Sequence, residues 1–236
     1  MGEVLAVMGR MLRRAVRLAV LPLALLGCSV GQNVTSPGLA LQEILIAQGK
    51  SRLDRNGDPS ARIMALTRAD VNGMGETVLR AQIPNFGLAS VLYLSQDRSP
   101  YSIWCTPDNV TLQMRAGMII GSRGVGADLV AVDDPRMIAV LEGREGPGPS
   151  KRVNRAFDGT NATVATEFSC VIEDLGSTSV TVVGLSYPTR HLRQTCTSPN
   201  ENFMNEYWQQ GRTVWKSRQW FNSQVGYMTV ERMTPQ

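Results

Sequence analysis

The thiol of Cys28 stands directly after a short apolar run, where a sulfur nucleophile could accept a lipid. A block of arginines from Arg10 to Arg17 precedes the run, which ends in Leu25-Leu26-Gly27-Cys28. A helix over the nine residues 18–26 would span about 14 Å, less than half of a hydrocarbon core of about 30 Å, so no transmembrane helix is expected. The order of basic, apolar and small residues is typical of a secretory signal peptide, and the final tetrapeptide is typical of a bacterial lipobox.

Cleavage before Cys28 would remove residues 1–27 and leave a polar tether over residues 28–37. Acyl chains on the sulfur and on the new amine would hold the protein on a membrane, because each buried CH₂ contributes about 0.8 kcal/mol. Ser29, rather than an aspartate, follows the cysteine, and similarity to enteric sorting then favours the outer membrane, with the protein facing the periplasm. The alternative is an ordinary signal peptide in which this cysteine occurs by chance.

Three further cysteines, Cys105, Cys170 and Cys196, would enter an oxidising compartment, where one disulfide bond and one thiol are expected. We predict the pair Cys170–Cys196, with Cys170 at the end of a strand and Cys196 in a loop after the next strand. Cys105 follows Trp104 in a strand-like run and is predicted to be a buried free thiol. A zinc site of these cysteines and His191 is disfavoured because no two cysteines are close in sequence. We therefore expect no metal and no cofactor.

The charge of the chain does not indicate a nucleic-acid partner. The sequence has 24 basic and 20 acidic residues, a formal net charge of +4. Four of the basic residues but only one acidic residue lie in the predicted signal peptide, so the remaining chain is close to neutral. The high isoelectric point is therefore mainly a property of the signal peptide.

Other residue patterns give only weak evidence for catalysis. His191 has no accompanying nucleophile motif, so a surface or partner-contacting role is favoured over a hydrolase. The carboxylate pairs Asp133-Asp134 and Glu173-Asp174 stand next to turns and are expected to be solvated, although glycosidases also use two carboxylates. The glycine-rich segment Gly117–Gly126 lacks the Lys-Ser/Thr ending of a phosphate loop and is predicted to form turns or a bulge.

The segment WKSRQW (215–220) separates two kinds of side chain if it forms a strand. Trp215, Ser217 and Gln219 would then share one face, and Lys216, Arg218 and Trp220 the other. Aromatic and basic groups on one face can stack on sugars and bind acidic groups. The favoured alternative is a barrel strand with one buried face and the stems of the basic residues lying over Trp220.

The amino-terminal part of the predicted domain contains helical signals. Ser36-Pro37-Gly38 predicts the start of a helix that ends near Gly49, and Leu66–Asp70 predicts a capped helical turn. Arg52–Ala61 and Gly143–Ser150 are rich in turn residues and are predicted to be loops. Asn200–Trp208 is predicted to be a loop or a helical turn.

Most of the remaining chain shows the short alternating patterns of antiparallel strands. The predicted strands are 77–83, 89–95, 101–105, 110–115, 118–122, 154–157, 162–170, 177–185, 213–221 and 225–233. We therefore predict a mainly β fold, an antiparallel β-barrel or sandwich with a short N-terminal helix, in one domain over residues 38–236.

Two groups of residues along the chain resemble a known family. The first comprises Ile103-Trp104, Pro107-Asp108, Arg115–Ile119 and Arg123–Leu129; the second comprises Tyr207-Trp208, Gly211–Trp220 and Gly226-Tyr227. They are similar to the core and to the C-terminal "YW…SRQW…GY" signature of the YjbF/GfcB lipoproteins, which are associated with exopolysaccharide and capsule production. The resemblance extends from about Leu66 to Met233.

The resemblance implies an outer-membrane lipoprotein that acts as a non-enzymatic accessory factor in making or exporting a surface polysaccharide. Its partners would be the membrane, through the lipid, and an outer-membrane export complex or the polysaccharide itself. Trp104, Asp108, Arg218 and Trp220 are the candidate contacts with glycan or partner, and no residue is predicted to be catalytic. Two alternatives are a periplasmic glycan-modifying enzyme, in which Asp128 would be tested, and a carrier that holds a lipid inside a barrel.

Overall fold

The structure is a computed structural model that describes residues 58–157 and 162–234. The predicted signal peptide, the predicted lipidation site Cys28, the predicted tether and the predicted helix ending near Gly49 lie outside the described residues. Within the described ranges, no helix is long and apolar enough to span a membrane.

Twelve antiparallel strands form one continuous sheet that is nearly closed into a barrel. The strands are β1 Val78–Ile83, β2 Leu88–Arg98, β3 Tyr101–Cys105, β4 Thr111–Arg115, β5 Met118–Arg123, β6 Leu129–Asp133, β7 Gly148–Phe157, β8 Thr163–Val182, β9 Leu185–Thr197, β10 Asn202–Gln210, β11 Thr213–Asn222 and β12 Gly226–Arg232. Their hydrogen-bonded order is β5-β4-β3-β2-β1-β12-β11-β10-β9-β8-β7-β6. The end strands β5 and β6 lie side by side, and Leu129 N donates to Ser122 Oγ (3.0 Å) across this seam. The predicted mainly β, antiparallel barrel fold is confirmed.

The predicted break between the strands 162–170 and 177–185 is absent. One 20-residue strand, β8, covers most of both segments and continues through an irregularity between Asp174 and Ser177. The hairpin turn lies later, at Val183-Gly184, where both residues have a positive φ (47° and 76°). Because β9 then runs to Thr197, Cys196 lies in a strand, and its predicted position in a loop is wrong.

The predicted loop or helical turn at residues 200–208 is also wrong, because this segment forms β10. Phe203, Asn205, Tyr207 and Gln209 point inward and are buried, while the residues between them are half-buried. Two of the four inward residues are polar, so the usual alternation of apolar and polar residues is hidden.

Within the part of the chain that the structure describes, three short α-helices and a 3₁₀ helix at Pro84–Phe86 accompany the barrel. Helix α1, Pro59–Met64, begins inside the predicted loop 52–61, because Asp58 accepts a hydrogen bond from Ser60 N (2.9 Å) and caps it. Helix α2, Arg68–Gly73, has the capping box of Thr67 and Asp70 that the sequence predicted as a capped turn. Helix α3, Pro135–Leu141, was not predicted; the loop predicted at 143–150 is shorter, since β7 already begins at Gly148.

The interior of the barrel is filled by side chains. All five residues from Met137 to Leu141 of α3 are buried, and Gln209 Nε2 of β10 donates a hydrogen bond to Leu141 O. Large apolar side chains such as Leu92, Trp104 and Phe221 belong to the same cluster. Helix α1 packs on the outside, where Arg80 of β1 pairs with Glu231 of β12 and also donates to Met64 O (3.2 Å).

The predicted disulfide bond Cys170–Cys196 is confirmed. The two residues lie directly opposite each other on β8 and β9, with their Cα atoms 4.1 Å apart. Phe168 and Phe203 pack around the bond. Cys105 is buried as predicted, but it is not a free cysteine, so the predicted free thiol is wrong.

Candidate functional site

The two-sided pattern predicted for WKSRQW is present in β11. Trp215, Ser217 and Gln219 point into the barrel and are buried, whereas Lys216, Arg218 and Trp220 are half-buried on the outer surface. Neighbouring strands extend this outer surface, because Trp208 lies opposite Lys216, and Tyr227 lies opposite Trp220. We call the group Trp208, Lys216, Arg218, Trp220 and Tyr227 the aromatic–basic face.

Each ring of the aromatic–basic face is held by a defined neighbour. The Arg218 guanidinium lies 3.4 Å from the centroid of the Tyr227 ring, and Lys216 Nζ lies 5.9 Å from that of Trp208. Trp220 meets Tyr227 edge-on at 5.0 Å, and its Nε1 donates to Glu201 Oε1 (2.8 Å). Arg218 therefore covers Tyr227 rather than Trp220, and the rings are fixed in orientation before any ligand binds.

His191 borders this face and is held between an aromatic ring and a carboxylate. Its ring stacks on Trp208 with the centroids 4.6 Å apart, and its Nε2 lies 3.2 Å from Glu206 Oε1. Glu206 also lies 3.9 Å from Arg193 Nη2. This neighbourhood fits the predicted surface or partner-contacting histidine. Among the residues described, no three metal-ligating side chains cluster.

The inward residues of the same motif join strands that are not neighbours in the sheet. Gln219 Nε2 donates to Gly117 O (3.0 Å), and Gln219 Oε1 accepts from Ile119 N (2.9 Å), so β11 is connected across the barrel to the β4–β5 turn. A Cβ at Gly117 would lie 2.6 Å from Val214 Cβ, and so only glycine allows this approach.

A second network of buried polar side chains supports the aromatic–basic face from the inside of the barrel. Asp134 caps α3 by accepting from Met137 N (2.9 Å), and it also accepts from Gln194 Nε2. Asn205 Nδ2 donates to Gln194 Oε1 (3.1 Å), and Asn205 Oδ1 accepts from Trp220 N (2.7 Å). The backbone of Trp220 is thus tied through β10 and β9 to helix α3.

The charges in this buried group are strongly affected by their surroundings. Burial raises the pKa of Asp134, and the hydrogen bonds from Met137 N and Gln194 oppose that shift. Burial also lowers the pKa of Arg152, whose Nε donates to Asn154 Oδ1 (2.8 Å), and raises that of Tyr207. The expectation that Asp134 is solvated is wrong, because it is the cap of a helix enclosed by the barrel; Asp133 is exposed.

Trp104 and Asp108 lie apart from the aromatic–basic face, at opposite ends of the barrel. Trp104 points inward near the end where β12 finishes, beneath Arg232. Asp108 lines a cavity of about 80 Å³ at the other end, next to Val110 and Gly124–Gly126. The structure therefore brings Arg218 and Trp220 together and separates the other two predicted contact residues from them.

A comparison with known protein families supports the family resemblance predicted from the sequence motifs. The family model described as "Group 4 capsule polysaccharide lipoprotein gfcB, YjbF" matches residues 40–233. The chain belongs to the YjbF family. This confirms the predicted resemblance and shows a family of lipoproteins of capsule and exopolysaccharide systems.

A solved structure shows that this YjbF-family chain shares its fold with another protein. The "hypothetical lipoprotein YmcC from Escherichia coli (K12)" matches with a TM-score of 0.60 at 16% identity, over 82% of this chain and 96% of that one. A "putative exported protein with YmcC-like fold" from Bacteroides fragilis NCTC 9343 covers 67% of this chain and 94% of its own, at 13% identity and a TM-score of 0.30. No sequence among the curated proteins matches the chain.

The YjbF-type segment Arg123–Leu129 has a structural role in this chain. Asp128 accepts from Ser122 Oγ (2.7 Å), Gly124 N (2.8 Å) and Val125 N (3.0 Å), which closes the β5–β6 loop. Its carboxylate is therefore committed to a turn. The glycines of this segment form that turn, as predicted.

The other predicted carboxylate pair is placed on the outside of the long β8–β9 hairpin. Glu173 and Asp174 are both exposed, and Asp174 accepts from Gly176 N (2.9 Å) and pairs with Arg190 (2.7 Å). The backbone hydrogen bond from Gly176 is the main cause that lowers the pKa of Asp174. This geometry is that of a bulge closed by an ion pair, not of a catalytic pair facing a cleft.

Sequence reasoning missed the buried polar residues Asp134, Arg152, Gln194 and Asn205. Polar residues at inward positions of a strand could have indicated them, but only with the strand register known. The register of β9 and β10 was itself missed.

Proposed function

We propose that this protein is a lipid-anchored outer-membrane accessory factor in the production or export of a surface polysaccharide, and that it acts without catalysing a reaction. The observation that carries the proposal is the match of residues 40–233 to a family of capsule polysaccharide lipoproteins. Acylation of Cys28 and a periplasm-facing orientation belong to the proposal.

The aromatic–basic face is the surface we propose for contact with the polysaccharide or with an export protein. Trp208, Trp220 and Tyr227 present half-buried rings beside Lys216 and Arg218. Rings of this kind stack on the apolar faces of sugars, and the cations can bind acidic groups on a chain. The fixed orientation of the rings reduces the conformational entropy that binding would cost.

The other two candidate functions find less support in the described residues. The barrel interior is filled by the side chains of the apolar cluster, and the cavity beside Asp108 measures only about 80 Å³, which disfavours a carrier that holds a lipid inside the barrel. Among the carboxylates singled out in the sequence, Asp134 caps a buried helix, and Asp128 closes a turn. These roles disfavour a glycan-modifying enzyme.

Deleting the gene and measuring the amount and chain length of surface polysaccharide tests the accessory role. We expect a clear reduction, restored by the wild-type gene. Complementation with Trp220→Ala or Arg218→Ala should restore less, whereas Lys151→Ala, on the exposed outer side of β7, should restore fully. Unchanged polysaccharide after deletion would refute the proposal.

The anchor and the lack of catalysis need separate measurements. Mass spectrometry of the mature protein should find Cys28 at the amino terminus carrying acyl chains, and an unmodified, secreted product would contradict the anchor. Incubating the purified protein with the host polysaccharide should leave its chain length and composition unchanged. A change that purified protein produces would instead indicate an enzyme.

A further inference from the structure

The end of the barrel where β12 finishes opens into a pocket of about 490 Å³. The β2–β3, β4–β5 and β10–β11 turns form its rim, and Trp104 lies on its inner wall. We call it the arginine pocket and define it by Asp97, Tyr101, Trp104, Arg212 and Arg232. It is separate from the aromatic–basic face, because Trp104 and Arg232 point into the barrel.

Arg232 is the unusual residue of this pocket. Its guanidinium lies over Trp104, 5.4 Å from the ring centroid, and its Nη1 is buried without a hydrogen-bond partner among the described residues. A buried donor without a partner costs about 1–3 kcal/mol, and more when it is charged. Such a group is stabilised when a ligand supplies an acceptor.

The charges of the pocket favour an anion. Arg212 and Arg232 are its two cations and Asp97 its single carboxylate, so the lining residues carry one excess positive charge. Burial lowers the pKa of Arg232, and the negative charge of Asp97 opposes that shift. Because a guanidinium ionises only at very high pH, Arg232 keeps its positive charge at neutral pH.

A smaller chamber and an aromatic rim adjoin the pocket. The chamber, of about 30 Å³, shares Trp104 and Arg232 with the pocket, and Ser102 and Ser217 are the neutral polar residues in its mainly apolar lining. Its volume is enough for one water molecule. At the rim, Tyr101 is 41% exposed and can contact the face of a ring. An acidic group directed inward would therefore leave the ring that carries it at the rim.

We propose that the arginine pocket binds a negatively charged sugar residue, with its carboxylate or phosphate directed toward Arg232 and its ring at the rim beside Tyr101. The choice of a sugar rests on the proposed role in polysaccharide production, whereas the choice of an anion rests on Arg232. The pocket would hold one acidic residue of a chain, and the aromatic–basic face would remain available to a longer segment or to a partner.

Isothermal titration calorimetry on the full chain in a neutral detergent tests the proposal with three probes. Oligogalacturonate carries carboxylates, glucose 1-phosphate carries a phosphate, and maltotetraose is neutral. We expect one of the two acidic sugars to bind at least tenfold more tightly than maltotetraose. The Arg232→Gln variant should weaken that binding at least tenfold, because it removes the charged donor. Arg62→Gln, an exposed arginine of α1, is the matched control and should bind as the wild type does.

Two rim variants keep the test decisive if Arg232→Gln does not fold. Asp97→Asn removes the opposing carboxylate and should tighten binding severalfold, whereas Arg212→Gln should weaken it. Both residues are exposed, and a purely structural role of Arg232 predicts no such opposite shifts. Equal binding of maltotetraose, no binding of either acidic sugar, or unchanged affinity in these variants would overturn the proposal. The accessory role would not be overturned by any of these outcomes, because the polysaccharide phenotype of the gene deletion tests it separately.

Discussion

Gln219 of β11 donates a hydrogen bond to Gly117 O (3.0 Å) and accepts one from Ile119 N (2.9 Å), although β11 and β5 are not neighbours in the sheet. The side chain of Gln219 is 1% exposed. It thus replaces the ladder hydrogen bonds that an adjacent strand would provide, and it fixes the β4–β5 turn across the barrel.

We predict that Gln219→Leu destabilises the protein by about 2–4 kcal/mol, because it leaves a buried backbone donor and acceptor without partners. Chemical denaturation of the full chain measures the change. Gln224→Leu, in the exposed β11–β12 turn, should change stability by less than about 0.5 kcal/mol. Equal effects of the two substitutions would contradict the bridging role of Gln219.

The disulfide bond Cys170–Cys196 closes a loop with a sequence separation of 26 residues. In the chain-entropy model a loop of this length contributes about 3–4 kcal/mol. We expect the double variant Cys170→Ala/Cys196→Ala to lose about that much, measured by thermal and denaturant unfolding.

The control for the disulfide uses the neighbouring pair on the same strands. Ser169 lies opposite Thr197 on the outer face, one position away from the cysteines. Ser169→Ala/Thr197→Ala should cost less than about 1 kcal/mol, since both side chains are exposed. If it destabilised the protein as much as the cysteine double variant, strand pairing rather than the cross-link would explain the effect.

The sequence predicted most strands correctly where apolar and polar residues alternate, as in β4 and β11, and where turn chemistry is plain, as at Asn109 with its φ of 66°. The prediction of strands failed where the side chains that point into the barrel are polar. Asn205 and Gln209 lie inside the barrel, so β10 lacks the expected pattern, and its alternation becomes visible only with the buried partners known.

Helix α3 shows a different limit. Asp134-Pro135 is a helix-start signal, but the following Met137–Leu141 is buried on all sides and has no amphipathic period. A run of that length is equally compatible with a buried strand. Only the closure of the barrel around α3 decides between the two.

The candidate site was predictable in part. Arg218 and Trp220 belong to one segment, so strand periodicity alone placed them on one face. Trp104 and Asp108 are distant from them in sequence, and the fold places Trp104 inside the barrel near one end and the exposed Asp108 at the other. Arg232 carried no sequence signal, because its significance comes from its position over Trp104.

The buried ion pair of Arg80 and Glu231 connects the outside of the barrel to helix α1. The side chains are 8% and 5% exposed, and Arg80 Nη1 also donates to the carbonyls of Ile63 (3.4 Å) and Met64 (3.2 Å). We predict that Glu231→Gln costs about 3 kcal/mol, because it leaves the guanidinium buried without its counter-charge. The double variant Arg80→Met/Glu231→Leu should lose less stability than the single variants Arg80→Met and Glu231→Leu lose together.

A double-mutant cycle by denaturant unfolding measures this coupling. The exposed pair Arg136–Glu145, with side chains 39% and 43% exposed, is the comparison. Glu145→Gln should change stability by no more than about 0.5 kcal/mol. Additive effects at Arg80 and Glu231 would mean that the two residues act independently and that the ion pair does not hold α1.

Asp134 gives the protein a pH dependence of known sign. Burial raises its pKa in the folded state above the usual value of 3.8. The folded protein therefore binds this proton more tightly than the unfolded chain does, and the corresponding stability is present at low pH and lost as pH rises through the raised pKa. Asp134→Asn removes this titration, so the difference in unfolding free energy, wild type minus variant, should increase as pH falls from 7 toward 4.

Denaturant unfolding at pH 7, 6, 5 and 4 measures this difference, and a constant offset from altered helix capping does not affect its trend. Glu76→Gln is the control, since Glu76 is exposed and is not among the groups that shift the pKa of Asp134. For that variant the difference from wild type should vary much less with pH. If the Asp134→Asn difference instead shrank toward low pH, then hydrogen bonds from Met137 N and Gln194 would outweigh burial, and the carboxylate would be stabilised in its charged form.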